Sequence, residues 1–310
     1  MRKGIAFFAA AGLLSTTAFS SFAGSHFATV GNTMGLNITF ANQMELANFE
    51  SQTGNDLTFT GNPLFADRVS SGALPAVADR LPTEPLVIFP FDEIGTYGGT
   101  LRGVAGALES GTSEILSWRQ VSLVRLDPTD NSVVPNVASA WEWNDDKTEI
   151  TFTLREGHKW SDGDAFDADD IVFWVNDIMR NEALTASVWG NWAHGGSTVQ
   201  VEKIDATHVK FIFAESNPVF LHYLATSGSY FTPWAASHVL KKYHIDYNAN
   251  ADEEAIAAGY SAWTLRFKTF YHRWKDAVTA TAAGLEVPTL ECHILAAATD
   301  GSSRAFIANP

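Results

Sequence analysis

The run Pro135 to Asn181, PNVASAWEWNDDKTEITFTLREGHKWSDGDAFDADDIVFWVNDIMRN, constrains the fold more than any other part of the chain. It reads as strand, turn, strand, turn, helix. Ala140 to Trp143 make a short aromatic strand, and Asn144-Asp145-Asp146-Lys147 a polar turn. Ile150, Phe152 and Leu154 then alternate with Thr151, Thr153 and Arg155, a period of two that turns one set toward a core. Gly157 and Ser161-Asp162-Gly163 break the chain direction. Asp167 suits an N-cap, where a carboxylate accepts the free amides of a first turn, and Asp170 falls at the positive end of the helix dipole. Ile171, Val172, Trp174, Val175, Ile178 and Met179 recur at helical spacing.

The remaining chain is read around that run. Gly24 to Asn62 is polar and is expected to be a weakly ordered leader. Asn62-Pro63 and Gly72 carry the start and stop signals of one helix over 63–72. Prolines at 75, 82, 85 and 90 predict an extended path over 74–90. Thr100 to Val104 reads as a first strand, where Gly103 and Gly106 leave room for a ligand backbone or simply mark a bulge. Thr112 to Val124 reads as helix, Val199–Lys203 and His208–Phe213 as a hairpin, and Asn217-Pro218 as the opening of a helix bearing Phe220, Leu221 and Leu224. Pro233 to His244 and Asp252 to Phe270 read as helices, and 288–307 as short strands around 290–295 and 304–307.

Charge and composition exclude several functions. Lys+Arg number 20 against 35 Asp+Glu, a net charge of −15, which argues against nucleic-acid binding and against docking on anionic lipid. Met1-Arg2-Lys3, the apolar run Gly4 to Leu14 and Ser21-Phe22-Ala23 form a secretory signal with cleavage expected after Ala23. No Cys follows the apolar run, so a lipid anchor is not expected, and the single Cys292 cannot make an internal disulfide. The mature chain is expected to be exported and soluble.

No G-x-S-x-G, P-loop or H-E-x-x-H motif is present, and the nine histidines lack metal-ligand spacing. Asp162, Asp164, Asp167, Asp169 and Asp170 depart from the EF-hand order and read as a turn plus a helix N-terminus. A secreted hydrolase would need a catalytic constellation, and none is found; no cofactor or metal is expected. Of ten tryptophans, Trp141, Trp143, Trp160 and Trp174 fall in regular elements and are read as core. Trp118, Trp189 and Trp192 fall near loops or helix ends, where an indole can wall a peptide or a sugar ring.

VVPNVASAW, TFTLREGHKWSDGDAF and DADDIVFWVNDIM together resemble the signature region of family 5 extracytoplasmic solute-binding proteins, the oligopeptide- and dipeptide-binding components of ABC importers. The resemblance runs from about Asn62 to Pro310, and Leu74 to Gly99 resembles the lead-in of a longer-chain branch. It implies an α/β, periplasmic-binding-protein-like (class II type) lobe with a mixed sheet, plus the additional small domain of the peptide-binding family. Carried over, residues 1–23 are a signal peptide, 24–97 a leader and extended segment, 98–118 and 200–310 lobe one, and 119–199 the additional domain. Family members are much longer, so the second lobe is expected to be missing and the chain to be a fragment that binds weakly or not at all.

The resemblance further implies a monomeric periplasmic receptor that hands an oligopeptide to ABC importer permease subunits. An oligosaccharide receptor of the same fold is the alternative that the tryptophans favour. Ligand-binding residues are expected at Val104, Ala105, Gly106, Trp118, Arg119, Trp189 and Trp192.

Overall fold

The computed structural model describes residues 43–54, 56–88, 96–104, 121–127, 130–188, 190–227, 232–271, 287–299 and 303–310. Two units are present, one of residues 1–101 with 126–134, the other of 102–125 with 135–310.

In the first unit, strand β1 (Gln43–Glu45) runs straight into helix α1 (Leu46–Thr53) and pairs antiparallel with β2 (Leu86–Ile88). Part of the expected leader is therefore ordered, because Phe49 on α1 finds a buried position. Asn62 caps the next turn by accepting the Leu64 amide at 3.0 Å, and Pro63–Phe65 leads into α2 (Ala66–Ser70). Buried Phe65 carries Arg68 and Arg80 over its ring at 5.9 and 5.8 Å. Instead of running extended throughout, 74–90 contains the short helix α3 (Val77–Arg80). Residues 100–104, expected as a strand, are irregular and exposed. Val124, expected at the end of a helix, lies in β3 (Val124–Leu126), which pairs with β4 (Val133–Pro135); 112–120 lies outside the described residues.

The second unit is built on an antiparallel sheet of four strands in the order β5-β6-β10-β9. These are β5 (Ala138–Trp143), β6 (Glu149–Leu154), β9 (Gln200–Lys203) and β10 (His208–Ile212), with β7 (Ala193–His194) and β8 (Ser197–Thr198) in a separate two-stranded ribbon. Pairing Phe152↔Val209 and Phe211↔Val201 stacks the alternating apolar residues of three strands on one face. Ile150, Phe152, Leu154, Val209 and Phe211 are buried there. On the other face Lys210 pairs with Glu149 at 3.3 Å and Glu202 at 4.0 Å, which suits a solvated surface. The sheet spans position 199/200, since β10 pairs with β6 before it and with β9 after it.

Helix α4 (Ala168–Phe173) packs on β9 and β10, capped by Asp167 and Asp170 in reciprocal hydrogen bonds as their spacing predicts. It continues as one widened turn over Trp174–Met179, in which the Arg180 amide reaches back five residues to the Val175 carbonyl. The following helices are α5 (Phe220–Ser227), α6 (Ser237–Leu240), α7 (Ala251–Ala257) and α8 (Trp263–Phe270). The helix expected over 252–270 is two helices folded back, since the Asp252 carboxylate accepts the Trp263 amide at 2.8 Å and Arg266 meets Glu254 at 3.3 Å. The helix expected over 233–244 shrinks to α6 and one tight turn, because Ala235 and Ser237 give their amides to Asp170. Strands β11 (His293–Thr299) and β12 (Ser303–Ala308) close the chain as an antiparallel hairpin.

Replacing Asp167 with Ala removes the acceptor for the Asp169 amide, 2.7 Å away, and is expected to lower stability by about 1 kcal/mol, read as a shift in urea midpoint with unchanged slope.

Candidate functional site

Ligand contacts were expected on the flanks of the sheet, and the structure describes two of those seven residues. Val104 is 93% exposed on an irregular segment. Ala105, Gly106, Trp118, Arg119 and Trp189 lie outside the described residues. Trp192, expected as an aromatic wall, has no exposed surface. Its ring meets Trp174 at 5.0 Å, Phe220 at 5.4 Å and Phe211 at 6.2 Å, which makes it a core residue. The reason is local. The sequence around it reads as loop, yet the glycine pair Gly195-Gly196 turns β7 tightly back along β8 and tucks Trp192 beneath, with the Val199 amide donating to the Trp192 carbonyl at 2.8 Å. Both glycines have positive φ, and a Cβ on Gly195 would stand 2.7 Å from Glu215 Cγ. The indole N–H of Trp192 is buried without an acceptor among the described residues. Trp160 and Trp174 are core as expected, while Trp141 and Trp143 are half-buried.

The signature run places its polar groups at a joint. Asp170 is buried and accepts from the Trp160 indole at 2.9 Å, the Ser237 amide at 3.0 Å and the Asp167 amide at 3.3 Å. Burial pushes its carboxyl above the ordinary carboxylate value, and the donors from Ser237 and Trp160 oppose that rise. At the surface beside it, His238 Nε2 lies 2.8 Å from Asp162 and Nδ1 3.3 Å from Asp164. The acidic cluster is thus divided between a helix cap and an ion-paired turn. Among the described residues, no three His, Cys, Asp or Glu side chains converge as metal ligands.

Two histidines that sequence reasoning passed over sit inside. His244 is fully buried; its Nε2 meets the Asp177 carbonyl at 3.0 Å, and its Nδ1 accepts the Asp246 amide at 3.3 Å. That assigns the proton to Nε2. The carbonyl it reads belongs to the widened turn after α4, whose Ile178 carbonyl likewise accepts the Thr185 hydroxyl at 2.8 Å. His158 is packed edge-on against Phe166 at 5.4 Å, and burial, with Arg155 and Lys159 adding repulsion, lowers its pKa to about 4. No sequence pattern marks either residue as buried: His158 lies between Gly157 and Lys159, and His244 between Tyr243 and Ile245.

With the fold described, the likeness to known proteins takes on meaning. Residues 132–260 match the family described as bacterial extracellular solute-binding proteins, family 5 Middle. The match covers the four-stranded sheet, α4, α5, α6 and α7. Over 199 residues the chain is 33% identical to the periplasmic alpha-galactoside-binding protein of Rhizobium meliloti (strain 1021), 58% of this chain and 28% of that one. Over 106 residues it is 26% identical to a probable ABC transporter-binding protein of Deinococcus radiodurans, 34% of this chain and 17% of that one.

Two solved structures resemble it over most of its length. An oligopeptide-binding protein OppA superposes with a TM-score of 0.70 at 31% identity, covering 85% of this chain and 40% of the other. The periplasmic binding protein MelB of Agrobacterium fabrum C58, in complex with stachyose, gives a TM-score of 0.62 at 25% identity, covering 82% and 38%. The chain therefore spans well under half the length of these relatives.

Two outcomes follow for the buried groups. Trp192→Ala is expected to cost about 3–5 kcal/mol in denaturant unfolding, whereas Trp192→Phe, which fills the site without an orphan N–H, stays within about 1.5 kcal/mol of the wild type. Folding holds His158 neutral, so its contribution is complete above its ordinary 6.5 and is lost as pH falls toward about 4. The wild type is expected to lose up to about 3 kcal/mol relative to His158→Gln across that window, followed by urea unfolding at stepped pH.

Proposed function

We propose that this chain is the capture module of an extracytoplasmic solute receptor serving an ABC importer, and that its ligand is an oligosaccharide of the α-galactoside class. The observation that carries the sugar reading is the 33% identity to an α-galactoside-binding protein over 58% of the chain. The stachyose-bound MelB structure, which superposes on 82% of the chain, supports the same class. An aromatic-rich chain suits it too, because sugar C–H faces stack on indole rings. Oligopeptide, the ligand expected from the sequence resemblance, is the second reading. It is favoured by the higher TM-score, 0.70, to an OppA structure.

In either reading the receptor makes and breaks no covalent bond. It binds a solute, and closure around that solute is the signal to permease subunits. Residues 1–23 act as a cleaved secretory signal, which puts the mature chain in the periplasm. Among the described residues no helix is long and apolar enough to cross a membrane. Val104, Ala105, Gly106, Trp118, Arg119 and Trp189 remain the residues proposed to line the ligand.

A thermal-shift panel on residues 24–310 separates the readings. Melibiose, raffinose and stachyose are expected to raise the melting temperature, and a tryptic peptide pool to leave it unchanged. The reverse pattern selects the peptide reading, and no shift with either class removes ligand capture by this chain.

A further inference from the structure

We propose that the outer edge of β5 is a docking strand: it takes an extended internal segment of a partner protein, reading apolar-basic-apolar, as a further strand of the sheet. The order β5-β6-β10-β9 leaves two outer strands, and they differ. Helix α4 packs along β9, and Lys203 of β9 is tied to Asp169 at 2.7 Å; a covering helix and a lysine both close a sheet edge. On β5 the first residue is engaged, with Ala138 donating its amide to the Leu123 carbonyl at 2.9 Å. From Ala140 to Trp143 the outer side of β5 has no hydrogen-bond partner among the described residues.

The ladder decides which groups this edge presents. The Asn144 amide donates to the Glu149 carbonyl at 3.0 Å, so these two residues form a hydrogen-bonded pair. By alternation Glu142 with Thr151 and Ala140 with Thr153 are hydrogen-bonded pairs too. Trp141 and Trp143 fall between them, opposite Phe152 and Ile150, and their backbone N–H and C=O groups therefore point away from β6. Their side chains share the apolar face with Phe152 and Ile150 and are half-buried. Trp143 leans on Phe213, with ring centroids 6.4 Å apart. Trp141 meets no ring, and its indole N–H has no acceptor, among the described residues. The edge thus offers main-chain donors and acceptors at two alternate positions, each flanked by an indole.

Charge on the opposite face selects the occupant. Glu142 is exposed between the two tryptophans and faces Thr151, which in turn faces Lys210. Lys210 is held by Glu149 and Glu202, and the Glu142 carboxylate meets no cation among the described residues. A strand laid antiparallel on β5 sets apolar residues opposite Trp141 and Trp143 and its middle residue directly opposite Glu142, where Lys or Arg is favoured and a like charge is not. A second copy is therefore disfavoured. In the register that uses both outward residues, Trp141 faces Trp143 of the copy and Glu142 faces Glu142. The net charge of −15 acts in the same direction. The strand Ala-Ser-Ala-Trp-Glu-Trp carries no basic side chain to hold a free carboxylate end, so the segment that fits is internal to a longer chain.

Fluorescence anisotropy on the full chain tests this with a fluorescein-labelled, amidated peptide, Gly-Thr-Val-Lys-Val-Thr. It is expected to bind about fivefold more tightly than its counterpart with Glu in place of Lys. Methylating both valine amides removes the donors aimed at Trp141 and Trp143 and is expected to weaken binding about tenfold. Methylating the lysine amide, which points away from β5, is expected to leave binding within about twofold. In Glu142→Lys the preference is expected to reverse toward the Glu peptide, which assigns the binding to β5. No binding of the Lys peptide, equal binding of the two peptides, the same preference in Glu142→Lys, or indifference to valine methylation overturns the proposal. So does a dimer of the peptide-free chain that the peptide disperses, which makes a second copy the occupant.

Discussion

A buried carboxylate at the start of α4 organises the second unit. Asp170 lies in the first turn of the helix and is 2% exposed. An ionised group there is costly unless donors surround it. The fold supplies them from three places, the Asp167 amide, the Trp160 indole and the Ser237 amide. Each donor fixes a different segment, so the cap, the turn before the helix and the strand-like run into α6 are set by one side chain. Trp160 and Phe166 then meet Trp234 and His158 edge to face around it.

The aromatic core on the far side of α4 depends on that placement. Trp174 and Trp192 meet at 5.0 Å, and Phe220 packs against Trp192, Phe211 and Phe213. The widened turn over Trp174–Met179 directs Trp174 and Ile178 into the same layer. It leaves carbonyls that an ordinary helix would use, and His244 and Thr185 satisfy them. Trp160 and Trp174 of the signature run are therefore scaffold, as is Trp192. The aromatic wall proposed for ligand is left to Trp118 and Trp189.

The region that matches the family model, 132–260, coincides with this scaffold. A relative named for an α-galactoside and a solved structure named for an oligopeptide both resemble the chain that carries it.

Local chemistry in the sequence determined much of this protein. The period-two alternation of Ile150, Phe152 and Leu154, the Asp167 cap, the hairpin of β9 and β10 and the family signature were legible because each depends on residues close in the chain. Tertiary structure decided the rest. Asp170 took the Ala235 amide and left only a short helix starting at Ser237, Asp252 accepted the Trp263 amide between two helices where one was expected, and β6 paired with β10 across 199/200. Trp192 read as a loop residue and became core, because a glycine turn and the rings of Trp174 and Phe220 enclosed it. In each case a partner outside the local pattern, through burial or a hydrogen bond, outweighs the local preference.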